Sequence, residues 1–272
     1  MKKINSYKDF LYEFTLTSTP IANVDAYING MNKGIQDKLF FLNKIKIKTL
    51  VDFGCADGTL LNEIHKIFPD IELIGYDIDE TMMQISRERY PEINFYSDWN
   101  QVIEKVKGDD TALLLSSVIH EVYSYGTSSE IKNFWKNQAF NNKFKYLIIR
   151  DMIPSTIFDK MNIIDIKKIR EKSDPKYLND FENHWGDISI SFRVLLHWLL
   201  KYRYVINWKR EVRENYLPIS LETLKKKIPS NWQIIFEDHY TYDFLKNQIK
   251  QDFDIDLEEP THLKMIIKNE IY

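Results

Sequence analysis

The sequence predicts an α/β protein built on a mostly parallel sheet with helices on both faces. Between residues 46 and 151, five short β-type runs alternate with four helical runs, which is typical of parallel strands joined by right-handed crossovers. Two more β-type runs, 232–237 and 262–267, follow near the C-terminus. The intervening segment, 152–220, breaks the alternation. We therefore expect a helical cap inserted after the fifth strand.

The first predicted strand, 47–52, runs into a turn of small residues and then into a helix, 59–68. Glycine permits backbone angles that a Cβ forbids, so the turn can bring backbone N–H groups and a helix N-terminus against a ligand. Two carboxylates at the turn, Asp52 and Asp57, would repel a pyrophosphate and suit a cationic ligand with an amine or a sulfonium. The residues expected to bind this ligand are Asp52, Gly54, Cys55, Ala56 and Gly58.

The following strands also end in polar residues. The second, 71–76, precedes Asp77, about 20 to 25 residues beyond the glycine turn, where nucleoside-binding α/β folds place a carboxylate for the ribose hydroxyls. The third and fourth, 93–96 and 111–117, end at the same edge of a parallel sheet. The further ligand-binding candidates at this edge are Asp77, Ile78, Asp98, Trp99 and Ser117.

Four motifs in this region resemble those of the class I S-adenosylmethionine-dependent methyltransferases. VDFGCADGTLL is similar to their glycine-rich first motif, IGYDIDETM to the acidic second, NFYSDW to the third, and LLLSSVIHE to their fourth strand and its loop. Ala56 stands where many members carry glycine. The resemblance covers residues 45–155, with a weaker echo near the C-terminus. It implies a Rossmann-like sheet of seven strands, the last antiparallel, and S-adenosyl-L-methionine as the cofactor.

The resemblance also implies how the rest of the chain is used. In such enzymes an acid at the position of Asp98 contacts the adenine amino group. An N-terminal helical segment often lies over the cofactor cleft, and insertions after the fifth strand hold the substrate. We therefore divide the chain into an N-terminal segment (1–45), a methyltransferase core (46–151 and 221–272) and a substrate cap (152–220).

The loop after the fourth strand carries the catalytic candidates, His120 and Glu121. A methyl group on a sulfonium is already activated, so its transfer needs alignment above all, and a base only where the acceptor must lose a proton. His120 is the first candidate for that base, and local packing at the start of a helix is the alternative. The sequence Asn-Pro-Pro-Tyr, used on adenine amino groups, is absent from this loop, which disfavours methylation of such groups. Arg150 and Asp151, after the fifth strand, are expected to bond each other.

Within the cap, residues 190–208 are predicted to form one helix. Its apolar face consists of Leu195, Trp198, Leu199, Tyr202 and Ile206. Arg193, His197 and Lys201 step by four residues along a neighbouring face. Two interpretations of this basic stripe stay open: a solvated surface, or groups that meet an anionic acceptor such as a carboxylate, a phosphate or an RNA backbone.

Composition limits the function classes. With 272 residues, 44% of them hydrophobic, the chain can bury one large core. A formal net charge of −3 argues against broad non-specific binding to nucleic acid. The single cysteine excludes an intramolecular disulfide, and the scattered histidines indicate no metal site. Lacking a signal peptide and any apolar run of about 18 residues, the sequence predicts a cytoplasmic protein with no membrane partner.

The favoured function is transfer of a methyl group from S-adenosyl-L-methionine to an oxygen or nitrogen of a small or medium-sized acceptor. Two alternatives stay open. One is a methyltransferase that acts on RNA or a modified nucleotide, and the other is a catalytically inactive regulatory domain that binds S-adenosylmethionine. The oligomeric state also stays open.

Overall fold

The computed structural model describes residues 34–155 and 166–272. Its centre is a seven-stranded sheet, and every strand predicted from the sequence is present. The strands are β1 Thr49–Phe53, β2 Glu72–Tyr76, β3 Asn94–Tyr96, β4 Thr111–Ser116, β5 Tyr146–Asp151, β6 Trp232–Tyr240 and β7 His262–Asn269.

The strands lie in the order β3-β2-β1-β4-β5-β7-β6. β7 is antiparallel to both of its neighbours and every other pairing is parallel, so the predicted Rossmann-like sheet is confirmed. The chain moves outwards from β1 to β3 and then crosses back to β4, on the other side of β1. The carboxyl ends of β1 and β4 therefore flank a switch point, where open α/β sheets bind their ligands.

Helices fill the connections between the strands. They are α1 Ile35–Lys38, α2 Thr59–Ile67, α3 Glu80–Arg89, α4 Trp99–Lys105, α5 Ile119–Tyr125, α6 Ser128–Asn133, α7 Ile166–Lys172, α8 Pro175–Trp185, α9 Phe192–Lys201, α10 Trp208–Glu211, α11 Leu221–Lys225 and α12 Asp243–Phe253. A π-helical turn, Phe134–Ala139, continues α6, and a 3₁₀ turn, Val205–Asn207, precedes α10.

The single helix predicted over 190–208 is wrong in length, because α9 ends at Lys201. The next turn, in which the Tyr204 N–H donates to the Lys201 carbonyl oxygen, redirects the chain. Ile206, expected on the apolar face, is consequently 54% exposed, whereas Leu195 and Trp198 are buried as predicted.

Three apolar clusters hold these elements together. One face of the sheet packs against α4, α5 and the π-helical turn, through side chains such as Val102 and Phe134. The opposite face packs against α2, α3 and the segment 39–47. The third cluster unites α8, α9 and α12, with Trp198 and Ile249 at its centre. The helix α12 therefore packs on the cap, although it is joined directly to the last two strands.

The part of the N-terminal segment that the structure describes begins at Gly34. It contains the short helix α1, and residues 1–33 of the N-terminal helical segment lie outside the described residues. Asp37 of α1 accepts hydrogen bonds from Arg150 Nε at 2.9 Å and from the Tyr240 hydroxyl at 2.6 Å, and pairs with Lys264 Nζ at 2.5 Å. These contacts fasten α1 to β5, β6 and β7.

In the two described stretches, 34–155 and 166–272, no helix has the length and apolar character needed to cross a membrane.

Candidate active site

The turn between β1 and α2 adopts the backbone angles that its glycines allow. Gly54, Ala56 and Gly58 have φ angles of 77°, 47° and 75°. The Gly54 N–H donates to the Tyr76 carbonyl oxygen at 2.7 Å, and a Cβ at Gly54 would lie 2.5 Å from the side chain of Val118. The left-handed conformation of Ala56 costs about 1–2 kcal/mol. The turn is therefore held close to both β2 and the loop after β4.

Asp77, at the end of β2, is tied to this turn. Its Oδ2 accepts the Ala56 N–H at 3.0 Å, and its Oδ1 accepts the Asp79 N–H at 3.0 Å. Burial raises the pKa of Asp77. A carboxylate oxygen can accept more than one hydrogen bond, so both oxygens of Asp77 can still accept hydrogen bonds from hydroxyl groups of a ligand. Beside it, the Ile78 side chain is 86% exposed, which leaves a large apolar surface uncovered at the cleft.

Asp52, the last polar residue of β1, is buried without a partner for its carboxylate among the described residues. Burial raises the pKa of Asp52 to about 7; Lys38 opposes the rise and Asp77 adds to it. An unpaired buried carboxylate is costly, and a cationic ligand would relieve that cost. Asp52 thus supplies negative charge at the switch point.

The expectation that Asp57 adds to this negative charge is wrong. Its Oδ2 pairs with Arg89 Nη1 at 2.9 Å and accepts the Thr59 hydroxyl at 2.8 Å, and its Oδ1 accepts the Thr59 N–H at 3.1 Å. The side chain is buried and neutralised at the start of α2. The charge argument therefore rests on Asp52 and Asp77.

Three further candidates for cofactor binding differ in which of their atoms a ligand can reach. The Cys55 side chain packs in the core with its Sγ 3.9 Å from Met83 Sδ, so only its backbone can reach a ligand. Asp98 is exposed and caps α4, accepting the Asn100 N–H at 2.9 Å. The Trp99 ring packs in an aromatic group at the ends of β1 and β2, and its buried Nε1 has no partner among the described residues.

Arg150 fixes the loop after β4 instead of pairing with Asp151, so the predicted Arg150–Asp151 bond is wrong. Consecutive strand residues point to opposite faces of a sheet, which keeps these two side chains apart. Arg150 Nη1 donates to Ser117 Oγ at 3.1 Å, besides its pairing with Asp37. Ser117 has a φ of 58°, so β4, like β1, is followed by a residue in the left-handed region. Such angles often accompany functional sites.

Asp151 instead organises the catalytic candidates. Its Oδ1 lies 3.1 Å from His120 Nδ1, and its Oδ2 accepts the Ile119 N–H at 2.7 Å at the start of α5. Burial lowers the pKa of His120, but the nearby carboxylates, Asp151 above all, outweigh burial and raise it to about 9. Burial raises the pKa of Asp151, but His120 outweighs that effect and the net pKa is lowered. The ring of His120 is therefore oriented by Asp151, which favours its charged form.

The cap attaches to α5, the helix that begins with these residues. Arg210 bridges the two units: its Nη2 lies 3.0 Å from Glu121 Oε1 and its Nε lies 2.7 Å from Glu214 Oε1. The Tyr125 hydroxyl also donates to Glu214 Oε1 at 2.7 Å. The ring of Tyr216 packs edge-on against His120, with centroids 5.3 Å apart. The cap thus covers the rim beside the catalytic candidates.

Two members of the basic stripe of α9, His197 and Lys201, fit neither interpretation offered by the sequence, because they are buried and bind backbone carbonyls inside the cap, whereas Arg193 stays exposed. Lys201 is fully buried, and its Nζ donates to the carbonyl oxygens of Glu211 and Glu214 at 2.5 and 2.6 Å. His197 Nε2 lies 3.1 Å from the Glu214 carbonyl oxygen, and Arg193 donates to that of Leu217. The stripe therefore braces the segment 211–217 that faces α5.

Four ionisable groups, from α1, the sheet edge, α5 and the turn after α9, are accessible and yet have shifted pKa values. Lys38, Asp77, Glu121 and Tyr204 all keep accessible surface, which reaches 52% for Tyr204 and 34% for the Glu121 side chain. Burial is nevertheless the largest influence on each pKa, lowering that of Lys38 and raising those of the other three.

Three residues of this region, Lys38, Tyr204 and Arg210, received no predicted role from the sequence. Lys38 and Tyr204 gave no signal, because their positions depend on how the N-terminal segment and the cap fold back over the sheet. Arg210 also gave none, because it is one of several basic residues that follow α9 in the sequence. Across the described stretches, no group of His, Cys, Asp and Glu side chains is arranged to hold a metal ion.

Comparison with known proteins adds one related sequence. No family model matches the chain. Over 88 residues it is 33% identical to "Putative methyltransferase 235L" of Invertebrate iridescent virus 6. The match covers 31% of this chain and 33% of the viral protein, so it spans about a third of that relative. It confirms the resemblance to methyltransferases that the motifs indicate.

Solved structures of similar shape include the plantazolicin methyltransferase BamL in complex with a desmethyl analogue and SAH, at a TM-score of 0.49 and 11% identity. That alignment covers 90% of this chain and 88% of BamL. The methyltransferase domain of bacterial CtHen1-C aligns at a TM-score of 0.46 and 14% identity, over 86% of this chain and 96% of that domain. Identities this low carry no information on the activity.

Proposed function

We propose that the protein is an S-adenosylmethionine-dependent methyltransferase that acts on an oxygen or nitrogen of a small or medium-sized acceptor beneath the cap. The observation that carries this proposal is the unpaired carboxylate of Asp52, buried at the switch point beside Asp77. Two like charges at one buried site favour a cationic ligand, and S-adenosylmethionine brings both a sulfonium and an ammonium. The identity to the viral protein supports the same activity.

In this proposal, the residues at the sheet edge bind different parts of the cofactor. Asp77 accepts hydrogen bonds from the ribose hydroxyls, exposed Ile78 packs against the adenine, and Asp98 accepts from the adenine amino group. Asp52 faces the charged groups of the methionine part. The full set of proposed cofactor-binding residues is Asp52, Gly54, Cys55, Ala56, Gly58, Asp77, Ile78, Asp98, Trp99 and Ser117, with Cys55 contributing backbone alone.

In the reaction, the protein aligns the acceptor with the cofactor and takes up the proton that the acceptor loses. The sheet edge holds the cofactor, and the cap excludes water and holds the acceptor against it. We assign the role of base to His120, with Asp151 orienting the ring and stabilising the imidazolium that forms. Glu121, which shares the first turn of α5 with His120, is the second catalytic candidate. Since the pKa of His120 is about 9, the neutral base accumulates as the pH rises towards that value.

The two alternatives are less well supported. The basic stripe suggested an RNA acceptor. Its members Arg193, His197 and Lys201 already bind backbone carbonyl oxygens of the protein, so they do not form a free surface for phosphate groups. An inactive binding domain would have no use for the pairing of His120 with Asp151 beneath a cap.

Calorimetric titration with S-adenosylmethionine and S-adenosylhomocysteine tests the proposal. Both ligands should bind, and Asp77→Asn should weaken binding, because a charge-assisted hydrogen bond is worth about 1.5–3 kcal/mol. Asparagine keeps one acceptor oxygen, so it can serve the Ala56 N–H or the Asp79 N–H but not both. With two ribose hydroxyls involved, we expect a loss of about tenfold to a few hundredfold in affinity.

Asp70→Asn, an exposed aspartate just before β2, is the matched control and should bind as the native protein does. Absence of binding by either ligand would overturn the proposed function. Unchanged affinity in a folded Asp77→Asn variant would remove Asp77 from the site.

A further inference from the structure

The side chain of Arg150 joins the N-terminal segment to the loop after β4. Its Nε and Nη2 lie 2.9 and 2.8 Å from Asp37 Oδ2 on α1, and its Nη1 donates to Ser117 Oγ at 3.1 Å. Every nitrogen of the guanidinium is therefore engaged. The side chains of Arg150 and Asp37 are only 9% and 11% exposed, so this ion pair is shielded from solvent. Such contacts hold the planar group in one orientation.

The carboxylate of Asp37 lies between two cations of neighbouring strands. Arg150 of β5 and Lys264 of β7 are paired in the antiparallel ladder, where like charges directly opposite each other are destabilising. Asp37 Oδ1 lies 2.5 Å from Lys264 Nζ, and Oδ2 accepts the Tyr240 hydroxyl at 2.6 Å besides pairing with Arg150. Without this carboxylate, the guanidinium would lose the partner of two of its nitrogens and would face Lys264 with no anion between them.

At its other end, Arg150 holds Ser117 by both backbone and side chain. The Ser117 N–H donates to the Arg150 carbonyl oxygen at 2.8 Å, in addition to the bond from Nη1 to Oγ. Ser117 has a φ of 58°, which residues other than glycine adopt only where their surroundings impose it. The next residue, Val118, packs so closely on Gly54 that a Cβ there would lie 2.5 Å from Val118 Cγ2. The loop after β4 is thus fixed between Arg150 and the glycine turn.

We propose that Asp37 is a positioning residue for the cofactor site: by fixing the guanidinium of Arg150, it holds Ser117 in the conformation that binds S-adenosylmethionine. The inference rests on the proposed function, in which Ser117 and Gly54 bind the cofactor, and extends that function to a residue of the N-terminal segment. Attachment of α1 to the sheet and affinity for the cofactor are then coupled, and such coupling acts in both directions.

The alternative role for Asp37 is to fasten α1 to the sheet and nothing more. In that case its loss would lower the stability of the protein, and its effect on cofactor affinity would not depend on the hydroxyl of Ser117. The positioning role depends on that hydroxyl, because the hydrogen bond from Arg150 Nη1 to Ser117 Oγ transmits it. The two roles can therefore be separated.

A double-mutant cycle on Asp37 and Ser117 tests the proposal, with calorimetric titration of S-adenosylhomocysteine as the measurement. Asp37→Asn should weaken binding by about threefold to thirtyfold, the range of coupling between residues of one network. In the Ser117→Ala background the same substitution should weaken binding by less than about twofold, because the hydroxyl that Arg150 holds is gone. Each variant is titrated at a temperature at which its melting curve shows it folded.

Arg150→Lys repeats the comparison from the other side of the ion pair. Lysine keeps the positive charge that Asp37 needs, but a single ammonium lacks the planar fork that reaches Asp37 and Ser117 together. This substitution should weaken binding in the native background and have little effect in the Ser117→Ala background. Asp238→Asn is the matched control, since Asp238 is an exposed aspartate opposite Lys264 on β6, and it should bind as the native protein does.

The outcomes separate this inference from the proposed function. Native affinity in folded Asp37→Asn, or a loss of equal size with and without the Ser117 hydroxyl, overturns the positioning role and leaves the proposed function standing. If Asp37→Asn does not fold, Arg150→Lys decides by the same criterion. Failure of the native protein to bind S-adenosylhomocysteine overturns the proposed function and this inference with it.

Discussion

At the scale of single residues, the surroundings of His120 decide its protonation state. The ring is buried, which by itself would favour the neutral form, yet Asp151 lies 3.1 Å from Nδ1 and the charges of Glu121 and Glu214 add to its effect. The pKa rises to about 9 as a result. The charged ring is therefore favoured at neutral pH, and the neutral base becomes available as the pH rises towards that value.

Asp151→Asn should therefore lower the pKa of His120 from its value of about 9. The substitution removes the main stabilising charge and leaves the burial that favours the neutral ring. Titration of the ring protons by NMR measures the pKa, and His120→Asn identifies the signal by its disappearance. A His120 signal that titrates alike in the native protein and in Asp151→Asn would contradict the role given to Asp151.

At the scale of elements, α9 acts as a brace for the segment 211–217. Lys201 binds two carbonyl oxygens of that segment, and its Nζ lies 4.4 Å from the centre of the Tyr216 ring, which packs against His120. Burial lowers the pKa of Lys201 to about 7. The helix face that looks basic in the sequence thus positions the segment whose Tyr216 packs against His120.

Lys201→Met should destabilise the protein by about 1–3 kcal/mol at neutral pH, because two buried carbonyl groups lose their donor. Between pH 7 and 10.5 the folded protein binds fewer protons at Lys201 than the unfolded chain does, so this residue makes native stability rise with pH there. Methionine removes that contribution. Denaturant unfolding at pH 7 and pH 9 should show the gap between native protein and variant widening at the higher pH.

Lys209→Met, at an exposed position of α10, is the control and should change stability by no more than about 0.5 kcal/mol. If Lys201→Met is as stable as this control at both pH values, the contacts of Lys201 with the segment 211–217 do not contribute to the free energy of unfolding.

At the scale of the whole molecule, the sheet buries an ionisable group, Asp52, near the carboxyl end of β1, between β2 and β4. Its carboxylate forms no hydrogen bond among the described residues, and Lys38 opposes the rise of its pKa. The folded pKa of about 7, against 3.8 for an ordinary aspartate, means that ionisation of Asp52 opposes folding. In the proposed function, cofactor binding and stability are therefore opposed at this residue.

Asp52→Asn should accordingly raise the melting temperature of the ligand-free protein while weakening cofactor binding. The stability that protonated Asp52 retains is lost as the pH rises through about 7, so the advantage of asparagine should be full above pH 7 and vanish below about 3.8. Scanning calorimetry at several pH values measures the first effect and titration with S-adenosylhomocysteine the second. A variant that melts below the native protein at pH 8 would contradict this account of Asp52.

The sequence by itself determined the sheet, the turn after β1 and the acids at the strand ends. Strands buried on both faces require continuous apolar runs, and a turn with positive φ requires small residues, so both features are written locally in the chain. Asp52, Asp77 and Asp98 could be placed at one edge for the same reason, because parallel strands present their carboxyl ends together.

Only the tertiary structure decided which partner each charged residue meets. Asp57 pairs with Arg89, His120 with Asp151 and Arg150 with Asp37, across separations of 32, 31 and 113 residues. Periodicity tells which face of an element a side chain occupies, but not which distant element packs on that face. The basic stripe of α9 followed the same rule: its spacing was evident in the sequence, and the fold of the segment 211–217 decided that it binds carbonyl groups instead of a substrate.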